Sequence, residues 1–182
     1  MKKMRSLFYI NCLALISIIV ALVPEMTNWS GWGNIVISSC IVVILLGLAD
    51  SNKRYTKAAI FRMIAVAISI LLKFMDSSIL SSVTSIILFC SLYQEYNAHS
   101  EVLADVDEKL SKRWKELFGI YLIGSIVVGV LSALIVISLG ALFLQYAKAI
   151  TVVVLVLSGG FDLIMRIIYL VYLKQMMNLA RG

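Results

Sequence analysis

The sequence has few of the residues that build metal sites or disulfide frameworks. It contains three cysteines and one histidine among 182 residues. The cysteines lie in separate apolar runs with no C-x-x-C spacing, so neither a disulfide framework nor a zinc site is expected. We therefore predict no metal site and no cofactor, and we expect the thiols to be small buried side chains.

Polar linkers and catalytic signatures are also missing. No low-complexity segment or Gly/Ser-rich linker divides the chain, so residues 1–182 are expected to form one domain. Gly159-Gly160 is not followed by the Lys-Ser/Thr of a phosphate-binding loop. The serines have no evident histidine partner for nucleophilic catalysis. We therefore predict no catalytic centre.

Apolar residues dominate what remains. They make up 62% of the chain, and the mean hydropathy is +1.00, whereas soluble domains are about 45–50% apolar. Because a helix needs about 20 apolar residues to cross a bilayer, the pattern predicts an all-α, multi-pass membrane protein. The predicted transmembrane helices cover about 6–23, 34–49, 58–75, 77–93, 118–139 and 149–171.

The distribution of positive charge predicts the orientation of these helices. The net charge is +6, and fourteen of the sixteen lysines and arginines fall on one side of the predicted membrane. Only Lys73 and Lys148 fall elsewhere. Since cytoplasmic loops are enriched in Lys and Arg, we expect both termini to be cytoplasmic. The net positive charge is thus explained by the orientation of the helices in the lipid bilayer of a cell (inner) membrane, and no nucleic-acid partner is predicted.

One polar stretch, residues 100–117, separates the fourth and fifth predicted spans. Apolar side chains recur there at helical spacing, and acids precede bases, which complements the helix dipole. We therefore predict a cytoplasmic amphipathic helix. Leu103, Leu110 and Trp114 would form a face that binds a partner protein, a second copy of the chain or the membrane surface.

The last predicted span carries two charged residues, Asp162 and Arg166. Each costs roughly 2.5–3.5 kcal/mol near the middle of a membrane. At a spacing of four they share a helix face and are expected to pair. Arg62, one turn inside the third span, is expected near them. Ionisable groups inside a membrane indicate a functional site by default, although a structural pair explains the same residues.

The fourth predicted span is rich in serine. Ser77, Ser81 and Ser85 are four apart and share one face. Small residues at that spacing allow close helix packing. The alternative is a hydroxyl-lined path for a ligand or ion, to which Ser81 and Ser85 would contribute.

Glu95 and His99 are also four apart and are expected to share a helix face. They are a conceivable metal or acid–base site. An exposed helix start, where acidic residues are favourable, explains the same pattern. This second explanation is the one we adopt from the sequence.

Three functional hypotheses follow. The first is a small transporter, channel or permease-type subunit whose polar site lies on the last helix. The second is a non-catalytic accessory, sensor or immunity-type membrane protein that binds a partner through the amphipathic helix. The third is a membrane-embedded enzyme that uses Glu95 and His99. A homo-oligomer or a membrane-protein partner is compatible with each.

Overall fold

The computed structural model describes residues 2–21, 27–142 and 147–179. Within these ranges the chain forms helices joined by short turns and contains no strand, which confirms the predicted all-helical class. The helices are α1 (Lys2–Ala21), α2 (Thr27–Gly47), α3 (Lys53–Leu71), α4 (Ser78–Leu103), α5 (Glu108–Leu142) and α6 (Ala147–Leu179). The predicted turns around Pro24 and Gln145 lie outside the described residues.

The helices form a closed ring. Each helix packs against its neighbours in the sequence, and α1 packs against α6. A hydrogen bond joins these two helices, since the Arg166 guanidinium donates to Asn11 Oδ1 at 2.7 Å. Short connections place successive helices antiparallel, so the ring has an up-and-down topology around an interior space.

The two ends of the ring differ in charge and packing. We call the end where α1, α3 and α5 begin the basic end, because most of the described lysines and arginines outside the interior lie there. The buried core is concentrated towards this end and includes Leu7, Leu45, Tyr55, Trp114 and Leu173. At the opposite end, large apolar side chains such as Phe74 and Ile79 are exposed.

The predicted separate helix over residues 100–117 is wrong. α4 continues through Leu103, a short turn follows, and α5 begins at Glu108 and runs without interruption to Leu142. Asp107 sets the start of α5 because its Oδ1 accepts from the Leu110 backbone N–H at 3.0 Å. A side chain that caps a first-turn N–H in this way stabilises a helix start.

The apolar stripe of this region faces the core of the same chain. Leu103 lies at the end of α4, whereas Leu110 and Trp114 lie in the first turns of α5, and all three are buried. The two helix ends are held together by Ser111 Oγ, which donates to the Ser100 carbonyl at 2.8 Å. The helical periodicity was therefore real, but it belongs to two helix ends that pack inwards.

Length and composition make α1, α5 and α6 able to cross a membrane, and these are the three described helices that meet both conditions. α2 contains a shorter apolar stretch, Gly31–Gly47. α5 exposes a continuous series of apolar side chains, which include Ile120, Ile123, Val127, Val130, Leu134 and Ile137. Soluble monomers rarely expose so much contiguous apolar surface, so the helices indicate a membrane protein.

Candidate functional site

The helices of the ring line a cavity of about 360 Å³, which we call the main cavity. Every helix from α1 to α6 contributes lining residues. Ligand sites usually occupy roughly 300–1,000 Å³, so a small solute fits. The polar and ionisable lining residues are Asn11, Asn34, Ser38, Arg62, Glu95, Tyr96, Tyr121, Asp162, Arg166 and Tyr169.

Asp162 and Arg166 both line the main cavity, but they do not pair directly as predicted. The Arg166 guanidinium is bonded to Asn11 on the neighbouring helix. Within the part of the chain that the structure describes, no hydrogen bond or ion pair reaches the Asp162 carboxylate. The bonded partner of Arg166 is thus an amide oxygen on another helix, which residue spacing along α6 does not reveal. Acid and base are therefore both presented to the cavity.

Arg62 also lines the cavity, but it already has an acidic partner. Its Nη2 lies 3.1 Å from Glu95 Oε2, and both side chains are almost fully buried. Arg62 Nε donates to Ser91 Oγ at 3.3 Å, and Ser91 Oγ donates to the Ala58 carbonyl at 2.8 Å. The guanidinium is thus fixed by α3 and α4 together. A buried charge pair is tolerated when its remaining polar atoms are bonded in this way.

A chain of hydrogen bonds extends from Glu95 towards the basic end. Tyr169 OH donates to Glu95 Oε1 at 2.6 Å. His99 Nε2 lies 3.2 Å from Tyr169 OH, and Tyr55 OH lies 2.8 Å from His99 Nδ1. The tautomer that satisfies all three carries its proton on Nε2 and accepts from Tyr55. We call Tyr55, Arg62, Ser91, Glu95, His99 and Tyr169 the buried polar cluster.

Aromatic rings surround this cluster on its basic side. The Trp114 ring centroid lies 4.5 Å from that of His99 and 5.2 Å from that of Tyr169. Tyr96 packs edge-on against Trp114 at 5.5 Å. Trp114 Nε1 is buried and has no hydrogen-bond partner among the described residues. These rings and the buried polar cluster separate the main cavity from the basic end.

A second space, the side cavity, lies beside the main cavity on the side of the opposite end. Its volume is about 260 Å³, and it shares Asn34, Ser38 and Leu88 with the main cavity. Lys73 lines its far part, with Nζ 5.9 Å from the ring centroid of Trp32. The two cavities are therefore neighbours that share part of their lining, with Lys73 on one and Asp162 and Arg166 on the other.

The structure brings together some of the predicted site residues and separates others. Asp162, Arg166 and Arg62 share the main cavity. Ser81 and Ser85 are exposed and do not line it. Ser85 Oγ donates to the Ser81 carbonyl of its own helix at 3.2 Å. The two serines are thus placed away from any path through the main cavity.

The predicted partner-binding residues are similarly displaced from the surface. Leu103, Leu110 and Trp114 are each at most 3% exposed. Their contacts are with the core of the same chain, where all three belong to one buried cluster. In this structure they form no exposed docking face.

Glu95 and His99 do share a helix face, but the expected exposed helix start is wrong. Both are buried, and both lie in the second half of α4, which is a long helix. Glu101, two residues after His99, is the exposed acid. Its carboxylate accepts from Asn52 Nδ2 at 2.9 Å and from Arg54 Nε at 2.6 Å, and these bonds hold the pKa of the Glu101 carboxyl below its usual value. Across the described ranges, no group of three potential ligands is placed to hold a metal ion.

Sequence reasoning missed several polar residues of the site, among them Asn11, Tyr121 and Tyr169. A signal existed for Tyr169, because it lies seven residues after Asp162 and three after Arg166 and therefore shares their helix face. Asn11 is a polar residue within an apolar run, which is an equally visible signal. Tyr121 has no such mark, because aromatic residues are common in apolar helices.

Comparisons with protein-family models, with curated proteins and with solved structures found no match to this chain. The chemistry of the site is therefore read from its own residues. They present one acid and one base, without a bond between them, to a space of solute size.

Proposed function

We propose that the protein is a small membrane transporter, channel or permease-type subunit. In this proposal α1 to α6 all cross the bilayer, and the main cavity binds the transported solute. The observation that carries it is the main cavity itself, which is lined by every helix and contains Asp162 and Arg166. Ionisable groups inside a membrane are costly and mark ligand or ion pathways.

The asymmetry of the ring supports a transport mechanism with access from one side at a time. The buried polar cluster and the rings around Trp114 close the main cavity towards the basic end. The side cavity lies on the side of the opposite end. If the basic end is cytoplasmic, as the positive-inside rule favours, this arrangement corresponds to a state that is closed to the cytoplasm. Release there requires the cluster to separate.

The other two functional hypotheses have less support. The accessory, sensor or immunity-type alternative depends on an exposed face at Leu103, Leu110 and Trp114, and these residues are buried. The enzyme alternative depends on Glu95 and His99. Both oxygens of Glu95 are already bonded, and His99 does not line the main cavity.

The proposal is tested by the Asp162→Asn variant in proteoliposomes, with uptake measured for a panel of small polar solutes and ions. We expect normal protein yield and loss of uptake, because the substitution removes the cavity carboxylate at nearly constant volume. Asp50→Asn is the matched control, since Asp50 is exposed in the turn after α2. Unchanged uptake by Asp162→Asn would contradict the proposal. Collapse of yield would instead assign Asp162 a structural role.

A further inference from the structure

We infer that the main cavity binds a small zwitterionic solute, with an ammonium group at Asp162 and a carboxylate at Arg166. The inference rests on the proposed function and specifies the class of its solute. Its basis is that two of the charged side chains that line the main cavity form an ion pair, whereas the other two do not.

The main cavity has four charged lining residues, and two of them neutralise each other. Arg62 and Glu95 form a buried ion pair, and the remaining Glu95 oxygen accepts from Tyr169. The charges of Arg62 and Glu95 therefore offset each other within the pair, which offers no net charge to a ligand. The charges available to a solute are therefore those of Asp162 and Arg166, one of each sign.

Arg166 keeps donors that its known partner does not use. A guanidinium has five N–H donors in a planar fork, and Arg166 Nη1 donates one of them to Asn11. Carboxylates match the fork in pairs of parallel hydrogen bonds. Asn11 thus orients the guanidinium at the cavity wall and leaves room for a carboxylate.

Asp162 is the complementary group on the same wall. Four residues of helix separate the two by a rise of about 6 Å, which is a short distance in a medium of low dielectric constant. A lone cation beside Asp162 is therefore repelled by Arg166, and a lone anion beside Arg166 is repelled by Asp162. A solute that carries both charges satisfies both groups and leaves the cavity neutral.

The remaining lining limits the rest of the solute. Ile37, Leu92 and Met165 offer apolar contacts, so an aliphatic chain between or beside the charges is accommodated. Asn34 and Ser38 line both cavities and offer neutral hydrogen-bonding groups to a solute. A small aliphatic amino acid has the size and the charge pattern that this lining accepts.

The test measures binding to the full-length protein in lipid nanodiscs by isothermal titration calorimetry. The probes are butylamine, butyrate and γ-aminobutyrate, which share a four-carbon chain and differ in charge. We expect γ-aminobutyrate to bind about tenfold to a hundredfold more tightly than either single-charge probe, because each charge-assisted bond contributes about that factor. Glycine and ε-aminocaproate, with shorter and longer charge separations, locate the optimum if γ-aminobutyrate is not the best fit.

Two variants identify the group that each charge contacts. Asp162→Asn should reduce the affinity for zwitterions to that for butyrate, and Arg166→Gln should reduce it to that for butylamine. Arg113→Gln and Asp50→Asn are matched controls at exposed positions and should bind as the unaltered protein does. If Arg166→Gln fails to fold, Arg166→Lys keeps the charge, loses the fork and should bind zwitterions more weakly.

The outcomes separate this inference from the proposed function. A single-charge probe that binds as tightly as every zwitterion, or binding that neither variant alters, overturns the inference even if the protein transports another solute. Zwitterion binding without uptake in proteoliposomes supports the inference and overturns the transport function. Absence of binding by all five probes overturns the inference, and absence of uptake as well overturns both.

Discussion

The basic end and the opposite end of the ring are built from the same helices but differ in how far their side chains are buried. At the basic end Tyr55, His99 and Trp114 are fully buried. At the opposite end Phe74 and Ile79 are 78% and 76% exposed. The basic end is therefore the more densely packed of the two.

Two carboxylates that line the main cavity differ in whether they accept hydrogen bonds. Glu95 and Asp162 both lie in helices, both line the main cavity, and both have an arginine nearby. Glu95 accepts bonds at both oxygens, whereas the Asp162 carboxylate accepts none within the described chain. A charge that lines the cavity is therefore no guide to function until its partners are known.

The largest expected difference between the ends is in accessibility. In a background with Cys12, Cys40 and Cys90 replaced by serine, Ser38→Cys should react with a small cationic methanethiosulfonate. Ser91→Cys should be protected, because Ser91 is fully buried in the polar cluster. Mass spectrometry after timed labelling provides the measurement. Equal labelling of both positions would mean that the two ends are equally open.

The next effect is on stability, from Arg62→Met. This change leaves the Glu95 carboxylate buried without its cation and should cost about 3–5 kcal/mol of unfolding free energy. Denaturant titration in mixed micelles measures it. The double variant Arg62→Met/Glu95→Leu should recover most of the loss, because an apolar pair replaces a buried ion pair at little cost. A double variant as unstable as the single one would contradict the assigned pairing.

A smaller loss is expected from Tyr169→Phe. It removes the hydroxyl that donates to Glu95, and hydrogen bonds to charged groups contribute about 1.5–3 kcal/mol. The same titration measures it. Tyr172→Phe serves as the control, because Tyr172 lies three residues further along α6 and its ring is partly buried. Equal effects of the two changes would argue against a special role for the Glu95 bond.

The smallest effect is expected at the exposed surface of the basic end, from Glu101→Gln. Surface ion pairs contribute at most about 1 kcal/mol. Because the pKa of Glu101 is lowered in the folded state, its contribution is present above the ordinary value of 4.5 and is lost as the pH falls below it. The variant should therefore lose this part of the pH dependence. Identical acid-unfolding curves for the variant and the unaltered protein would show that Glu101 makes no such contribution to stability.

Much of this architecture is encoded locally, and that part was predictable. Apolar runs and charge placement indicate the helical class, and the polar face of α6 indicates Asp162 and Arg166. Asp107 before Glu108 was a local cap signal for the start of α5. The apolar stripe from Leu103 to Leu117 favours one continuous helix instead, and this pattern outweighs the cap signal at Asp107 in the sequence-based prediction.

The partners of the polar groups were not predictable, because they lie on other helices. Helical periodicity gives the face of each residue but not the helix that meets this face. Asn11 bonds Arg166 across the α1–α6 contact, and Tyr169 reaches Glu95 across the ring. The same limit explains why the sequence predicts exposed positions for Glu95 and His99 and a path-lining role for Ser81 and Ser85.

Closure of the ring by α1 and α6 constrains the order of biosynthesis. Asn11 and Arg166 are 155 positions apart, so they meet only after α6 has been inserted. In the proposed six-span bundle, the interior side chains of the earlier helices face lipid until then, and unpaired polar groups are costly there. A nascent chain that stalls before α6 thus exposes a polar gap in its wall, and we expect membrane proteases to degrade it faster than the finished protein.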